Sequence, residues 1–200
     1  MAQALISEPR AQTAAAGDYK TLLVHADVDA AAQRRMAIAV EIGRWFDAAV
    51  VGVGAAPFDP VTDPSFGYLP AAALVAEQEK HRLILEAARA AFVAAAPDGA
   101  WRAADSYPTD ALLGAAHGAD LVIATRPTET DPPARRVDPA ELAMGLGLPL
   151  LLLPGTVETL SPRNIVVGWK DTRASRRAVS DALPFLRRAE TVVLRAVLEG

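Results

Sequence analysis

The chain has 200 residues, 52% of them hydrophobic, and a formal net charge of -4, which is enough apolar material for one well-cored domain of ordinary size and a smaller piece besides. It contains no cysteine; this excludes a disulfide framework, thiolate metal ligation and a cysteine nucleophile, and the mild acidity argues against a nucleic-acid partner. Met1 to Gly17 has neither a basic start nor a long apolar core, so residues 1–18 read as a disordered leader of a cytoplasmic protein, not as a signal or a membrane span.

Thr21-Leu22-Leu23-Val24-His25-Ala26 reads as a first strand. In Asp27-Val28-Asp29 a carboxylate can cap the next helix, which runs through Met36, Ile38, Ala39, Val40, Ile42 and Phe46. Ala49-Val50-Val51-Gly52-Val53-Gly54 comes so soon afterwards that only a crossover helix fits between two buried strands, a right-handed βαβ unit. Pro57 to Pro70 holds four prolines and reads as a loop. Pro70 suits the first turn of a long helix from Ala71 to about Ala96, which Pro97-Asp98-Gly99 ends. Trp101 to Asp105 reads as a short strand, and Tyr107-Pro108-Thr109-Asp110 opens a third helix with Thr109 as its cap and Gly118 as its close.

Ala119-Asp120-Leu121-Val122-Ile123-Ala124-Thr125-Arg126-Pro127 is the run around which the chain is organised. Consecutive apolar residues bounded by turn formers mark a strand buried on both faces, near the middle of a sheet. Ligands of open α/β sheets sit beyond the carboxyl ends of such strands, so Thr125 and its successors are where function is sought. Backbone cradles for phosphate need glycine, and there is none from Ala124 to Glu141. Asp138-Pro139 reads as a cap with proline at the first position of a short helix through Met144. Leu148-Pro149-Leu150-Leu151-Leu152-Leu153-Pro154 is a fifth strand, and its flanking prolines suit a sheet edge. Five strands and four helices then make one domain, residues 19–155.

Beyond this domain the chain repeats its own opening. Laying Arg163 onto Lys20 matches strand, helix and strand without a gap as far as Ala196 on Val53, with Arg177 on Arg34, Phe185 on Ile42 and Glu190 on Asp47. The copy, residues 163–200, is an incomplete βαβ piece. Its two strands are apolar enough to be buried on both faces, and Pro184 should kink or end its helix. The open strands point to a truncated tandem protein, with a docked tail as the alternative.

These segments resemble the universal stress protein family in its tandem form. The resemblance is carried by Leu22 to Asp27, Val51-Gly52-Val53, the Ala119–Ile123 strand, Gly147 to Pro154, and Asn164 to Asp171 with Arg173, Arg177 and Ala178 behind it. It implies an open five-stranded parallel sheet with helices on both faces and the first strand central, related to other adenine-nucleotide-binding α/β folds, and dimerisation through the last strand, Leu150–Leu153. It also implies that Asp27 stands where nucleotide-binding members keep an aspartate near adenosine, and that Val53 lies where strand backbone approaches the base. Thr125 completes the cofactor-binding set if a nucleotide binds. The family's ATP binders carry G-x2-G-x9-G-[ST] after the fourth strand. Here the loop has no glycine, and Glu129 and Asp131 would face a triphosphate; like charges about 4 Å apart repel by roughly 4 kcal/mol at an effective dielectric of 20. No cofactor is therefore expected, and ATP is disfavoured.

His25 and Asp27, with Asp105 or Thr125, would make a polar mouth, against which stands the plainer account that Asp27 or Asp29 caps the first helix and His25 fills a strand end. Glu77 and His81 have the spacing of a metal pair, but without a third ligand a solvated helix pair is the better account, and no metal is expected. Gly52-Val53-Gly54 and Gly145-Leu146-Gly147 do not complete a dinucleotide fingerprint and read as tight turns. Arg34-Arg35, Arg135-Arg136, Arg176-Arg177 and Arg187-Arg188 read as exposed helix and loop charge. No catalytic residue set is recognisable. The leading expectation is a non-catalytic, dimerising stress-response module without membrane or nucleic-acid partners. The alternatives are an atypical adenine-nucleotide binder and an enzyme working at the His25/Asp27 mouth.

Overall fold

A computed structural model describes residues 18–58 and 71–196. The elements are β1 (Thr21–Ala26), α1 (Ala30–Phe46), β2 (Ala49–Ala55), α2 (Ala71–Ala95), β3 (Ala100–Ala104), α3 (Pro108–Ala115), β4 (Leu121–Thr125), α4 (Pro139–Gly145), β5 (Leu150–Leu153), β6 (Asn164–Trp169), α5 (Arg173–Leu186) and β7 (Thr191–Ala196). All of the expected leader but Asp18, together with Pro70 and most of the proline-rich loop, lies outside the described residues. Two compact units divide the chain near Thr159 and Leu160.

The first unit is a parallel sheet in the order β3-β2-β1-β4-β5. β1 is central as expected, and β4 lies beside it with Leu121, Val122, Ile123 and Ala124 all buried. Asp120, just ahead of that apolar run, uses one carboxylate oxygen to accept the Lys20 and Thr21 N–H groups at 2.8 Å, which fixes the start of β1 against β4. Alternation along the strands splits the core between two faces. Leu23, Val51, Val53, Val122 and Ala124 pack with Ala111 and Leu112 of α3 and Leu142 of α4. On the opposite face lie α1 and α2.

Gly52 is mid-strand, so the tight-turn reading of Gly52-Val53-Gly54 is corrected: a Cβ at Gly52 would come within 2.6 Å of the Phe92 ring, and one at Gly54 within 2.5 Å of Trp101. Both glycines are there to admit rings. Thr109 does not cap α3. Pro108 occupies the first turn, and the Thr109 hydroxyl accepts the Asp138 N–H at 2.8 Å, tying α3 to the start of α4. Asp138 does cap α4, accepting from Ala140 and Glu141. Gly118, with φ of 82°, turns the chain into β4.

In the second unit β6 and β7 pair in parallel. Thr172, the counterpart of Asp29, caps α5 through the Ser175 N–H at 3.1 Å, and Ser175 is the counterpart of Ala32, whose N–H Asp29 accepts. The copied βαβ unit thus starts its helix at the same point with a different cap residue. The gapless match fails at β7. Thr21 stands opposite Ala49 in the first unit, whereas its counterpart Asn164 stands opposite Thr191, the counterpart of Ala48. The copy is one residue shorter between its helix cap and the start of its second strand. α5 runs two residues beyond Pro184. The strands are not buried on both faces: every residue of β7 is exposed, and β6 alternates between exposed and half-buried.

Candidate functional site

The carboxyl ends of β1 and β4 meet at a buried arginine. Ala32, Arg35, Met36, Ala39 and Ile42 form the inward stripe of α1, at the spacing that puts residues on one helix face. Arg35 is 3% exposed, which corrects the reading of Arg34-Arg35 as surface charge. Its Nε donates to the His25 carbonyl at 2.6 Å, one terminal nitrogen donates to the Thr125 hydroxyl, and the other lies 3.3 Å from His25 Nδ1. Burial draws the Arg35 pKa down to about 10, partly offset by Asp29 and Asp27, so it stays charged at neutral pH. Burial first, then Arg35 and Arg135, hold His25 well below its ordinary value, so the ring is neutral and its Nδ1 can accept. Arg34 reaches the Gly155 carbonyl at 3.0 Å through Nε.

The two aspartates after β1 divide the tasks proposed for them. Asp29 caps α1, accepting the Ala32 N–H at 2.8 Å. Asp27 is released from capping: one oxygen accepts the Val28 N–H at 2.7 Å, and the other faces Arg135 Nε at 3.5 Å, with the carboxylate 9% exposed. Asp105 is not part of this group. It faces His81, whose Nε2 lies 3.3 Å from it and 3.0 Å from the Ala56 carbonyl. Glu77 pairs with Lys80 instead, so the solvated Glu77–His81 pair is not formed. Among the described residues no cluster of three or more metal-ligating acids and histidines is present.

The glycine-free segment after β4 is organised by side chains. Arg136 Nε donates to the Asp131 carbonyl at 2.6 Å, and a terminal nitrogen donates to the Glu129 carbonyl. The Asp131 carboxylate accepts the Thr128 N–H at 2.7 Å. A guanidinium and an aspartate thus hold the loop together from within. A short 3-10 turn, Pro133–Arg135, then presents Arg135 to Asp27.

Two cavities open at this end of the sheet. The larger, about 300 Å³, is lined by Asp27, Phe58, Lys80, His81, Tyr107 and Arg135 among others, with Ala55, Ala56, Pro57 and Ile84 giving it apolar walls. The smaller, about 140 Å³, lies against His25, Asp29, Arg35, Thr125, Asp131 and Arg136. Arg135 borders both. Of the sequence-predicted residues, Asp27 lines the larger cavity and Thr125 the smaller. Val53 lines neither; it is buried in the core and borders a separate groove beside α3. Sequence reasoning missed Arg35 and His81 as inward-facing groups. Arg35 was detectable, since it stands within the apolar stripe of α1.

No family model and no curated protein matches the chain. Solved structures do. A universal stress protein from Archaeoglobus fulgidus DSM 4304 is 10% identical, with a TM-score of 0.57 over 90% of this chain and 66% of its own length. The universal stress protein UspA from Lactobacillus plantarum is 20% identical, with a TM-score of 0.49 over 68% of this chain and 98% of its own. A universal stress protein in complex with cAMP is 23% identical, with a TM-score of 0.44 over 70% of this chain and 99% of its own. The fold of this chain is that of the universal stress proteins.

Proposed function

We propose that the protein is a non-catalytic regulatory module of the universal-stress type, dimerising through Leu150–Leu153, whose mouth takes a ligand of nucleoside size and has no seat for a triphosphate. The observation that carries this is the cavity of about 300 Å³ beside Asp27, at the small end of the range for ligand pockets. Its apolar walls and the rings of Phe58 and Tyr107 suit a planar base. Asp27 retains lone pairs for a ribose hydroxyl or an exocyclic amine. Lys80 and Arg135 stand at the border for a single negative group.

Two features support the absence of a triphosphate seat. Residues 126–137 hold no glycine, and the carbonyls of Glu129 and Asp131 are turned onto Arg136. The non-catalytic reading is supported by the pairing at the mouth. His25 is engaged by Arg35 and Asp27 by Arg135, so the imidazole and carboxylate of an acid–base pair are directed at different partners. Among the described residues no helix is long and apolar enough to cross a membrane.

Calorimetric titration with adenosine, AMP and ATP tests the proposal. Adenosine and AMP should bind with Kd values within about tenfold of each other, and ATP no more tightly than AMP. Asp27→Asn should weaken adenosine by about tenfold, roughly 1.4 kcal/mol. ATP binding about a hundredfold tighter than AMP would overturn the ligand reading, and turnover lost in a folded Asp27→Asn variant would overturn the non-catalytic one.

A further inference from the structure

We propose that the open edge of β6 takes up an extended segment of another polypeptide in parallel, one in which an acidic residue stands directly ahead of a run of apolar residues. This edge belongs to the second unit, and ligand binding at the mouth does not enter into it.

β1 shows what its copy lacks. In the first unit β1 lies between β2 and β4, whereas among the described residues β6 has β7 on one side and no strand on the other. Thr21 turns its backbone to β4: its carbonyl accepts the Asp120 N–H at 2.9 Å, and its own N–H donates to the Asp120 carboxylate at 2.8 Å. Lys20 turns its carbonyl to β2, accepting the Ala49 N–H at 2.8 Å. The copy keeps this alternation, because Arg163, the counterpart of Lys20, accepts the Thr191 N–H at 2.9 Å. Backbone groups along a strand point to its two sides in turn, so Asn164, Val166 and Gly168 direct theirs to the open side. Such edges template another strand unless charge, proline or a cover guards them. Asn164–Trp169 contains neither proline nor a charged side chain.

Charge and apolar surface select the occupant. Residues 160–200 carry eight of the chain's 20 lysines and arginines but four of its 24 aspartates and glutamates, a basic piece in an acidic chain. Arg163 stands at the head of the edge with its side chain 71% exposed, and its pair with Glu190, at 3.4 Å, is equally open to solvent, where such pairs hold weakly. An aspartate leading an incoming strand would meet the Arg163 and Asn164 N–H groups as Asp120 meets those of Lys20 and Thr21, with the Arg163 charge beside it. Val166 is 67% exposed and Val193, opposite it on β7, is 38% exposed. A Cβ on Gly168 would meet nothing within 4 Å. Apolar side chains on the added strand therefore find both a cross-strand neighbour and room.

Calorimetric titration of the full chain with a capped synthetic peptide of the sequence Gly118 to Arg126 tests the edge. Saturable binding is expected, with the amides of Asn164, Val166 and Gly168 slowed in hydrogen exchange when the peptide is bound. Asp120→Asn in the peptide should weaken binding about tenfold, and a scrambled peptide of the same composition should not bind. Val166→Pro in the protein removes an N–H from the open side and spares the β6–β7 ladder; it should abolish binding. Should this variant not fold, the exchange pattern of the wild type decides. The proposal is overturned by the absence of saturable binding, by an affinity unchanged on Asp120→Asn, by binding retained in folded Val166→Pro, or by protection at other amides instead. A wild-type dimer that Val166→Pro dissociates, with no peptide bound, overturns it too, because a second copy would then occupy the edge.

Discussion

His25 is buried as a neutral imidazole beside a permanent cation, so folding competes with its protonation. Its folded pKa lies below the ordinary 6.5. The unfolded chain therefore binds the extra proton first as pH falls, and stability present above 6.5 is lost below it. His25→Asn should flatten this acid limb in denaturant titrations. At the next two carboxylates the roles separate by the same reasoning. Asp29→Ala removes a helix cap and should cost about 1 kcal/mol of stability, whereas Asp27→Asn should change melting far less. Gly52→Ala forces a methyl group into the Phe92 ring, an overpacking that should cost about 1–3 kcal/mol in equilibrium unfolding. Side-chain roles were the least legible part of the sequence. Asp27 and Asp29 both offered a cap, and only the fold shows which one took it. Arg35 was read with Arg34 as a charged pair, although its spacing from Ala32 and Ala39 already placed it on the inward face.

At the scale of elements the chain was far more legible, because buried parallel strands are written as unbroken apolar runs and their helices as capped stripes. β1, β2 and β4 follow from such runs, and α4 from Asp138-Pro139. The misreadings share one cause: the signal depended on a distant partner. Gly52 and Gly54 resemble turn residues until the rings of Phe92 and Trp101 are placed over them. Thr109 resembles a cap until Asp138 arrives to use its hydroxyl. β5 carries the prediction that belongs to this scale. It is an edge strand of four leucines, three of them half-buried, and unpaired edges template association. A homodimer in solution is expected, with Leu151→Lys shifting sedimentation toward monomer; an unchanged dimer would place the interface elsewhere.

For the molecule as a whole, the second unit repeats the opening of the first in sheet direction, helix start and capping position. Its strand faces are more open than their apolar composition suggests, since β7 is exposed along its whole length. Composition reports what a strand could bury, and burial itself needs layers on both sides. The displaced pairing of β7 has a consequence for how such copies can be recombined. A gapless alignment would exchange Val193 for Val50, but Val193 stands opposite Val166, in the place Val51 holds opposite Leu23. Side chains alternate between faces, so a crossover guided by letters alone would turn the grafted strand inside out. A viable hybrid has to be cut by hydrogen-bond register, with one residue added between helix cap and strand where β7 replaces β2, and the barrier between the two copies as donors of interchangeable parts is that single position.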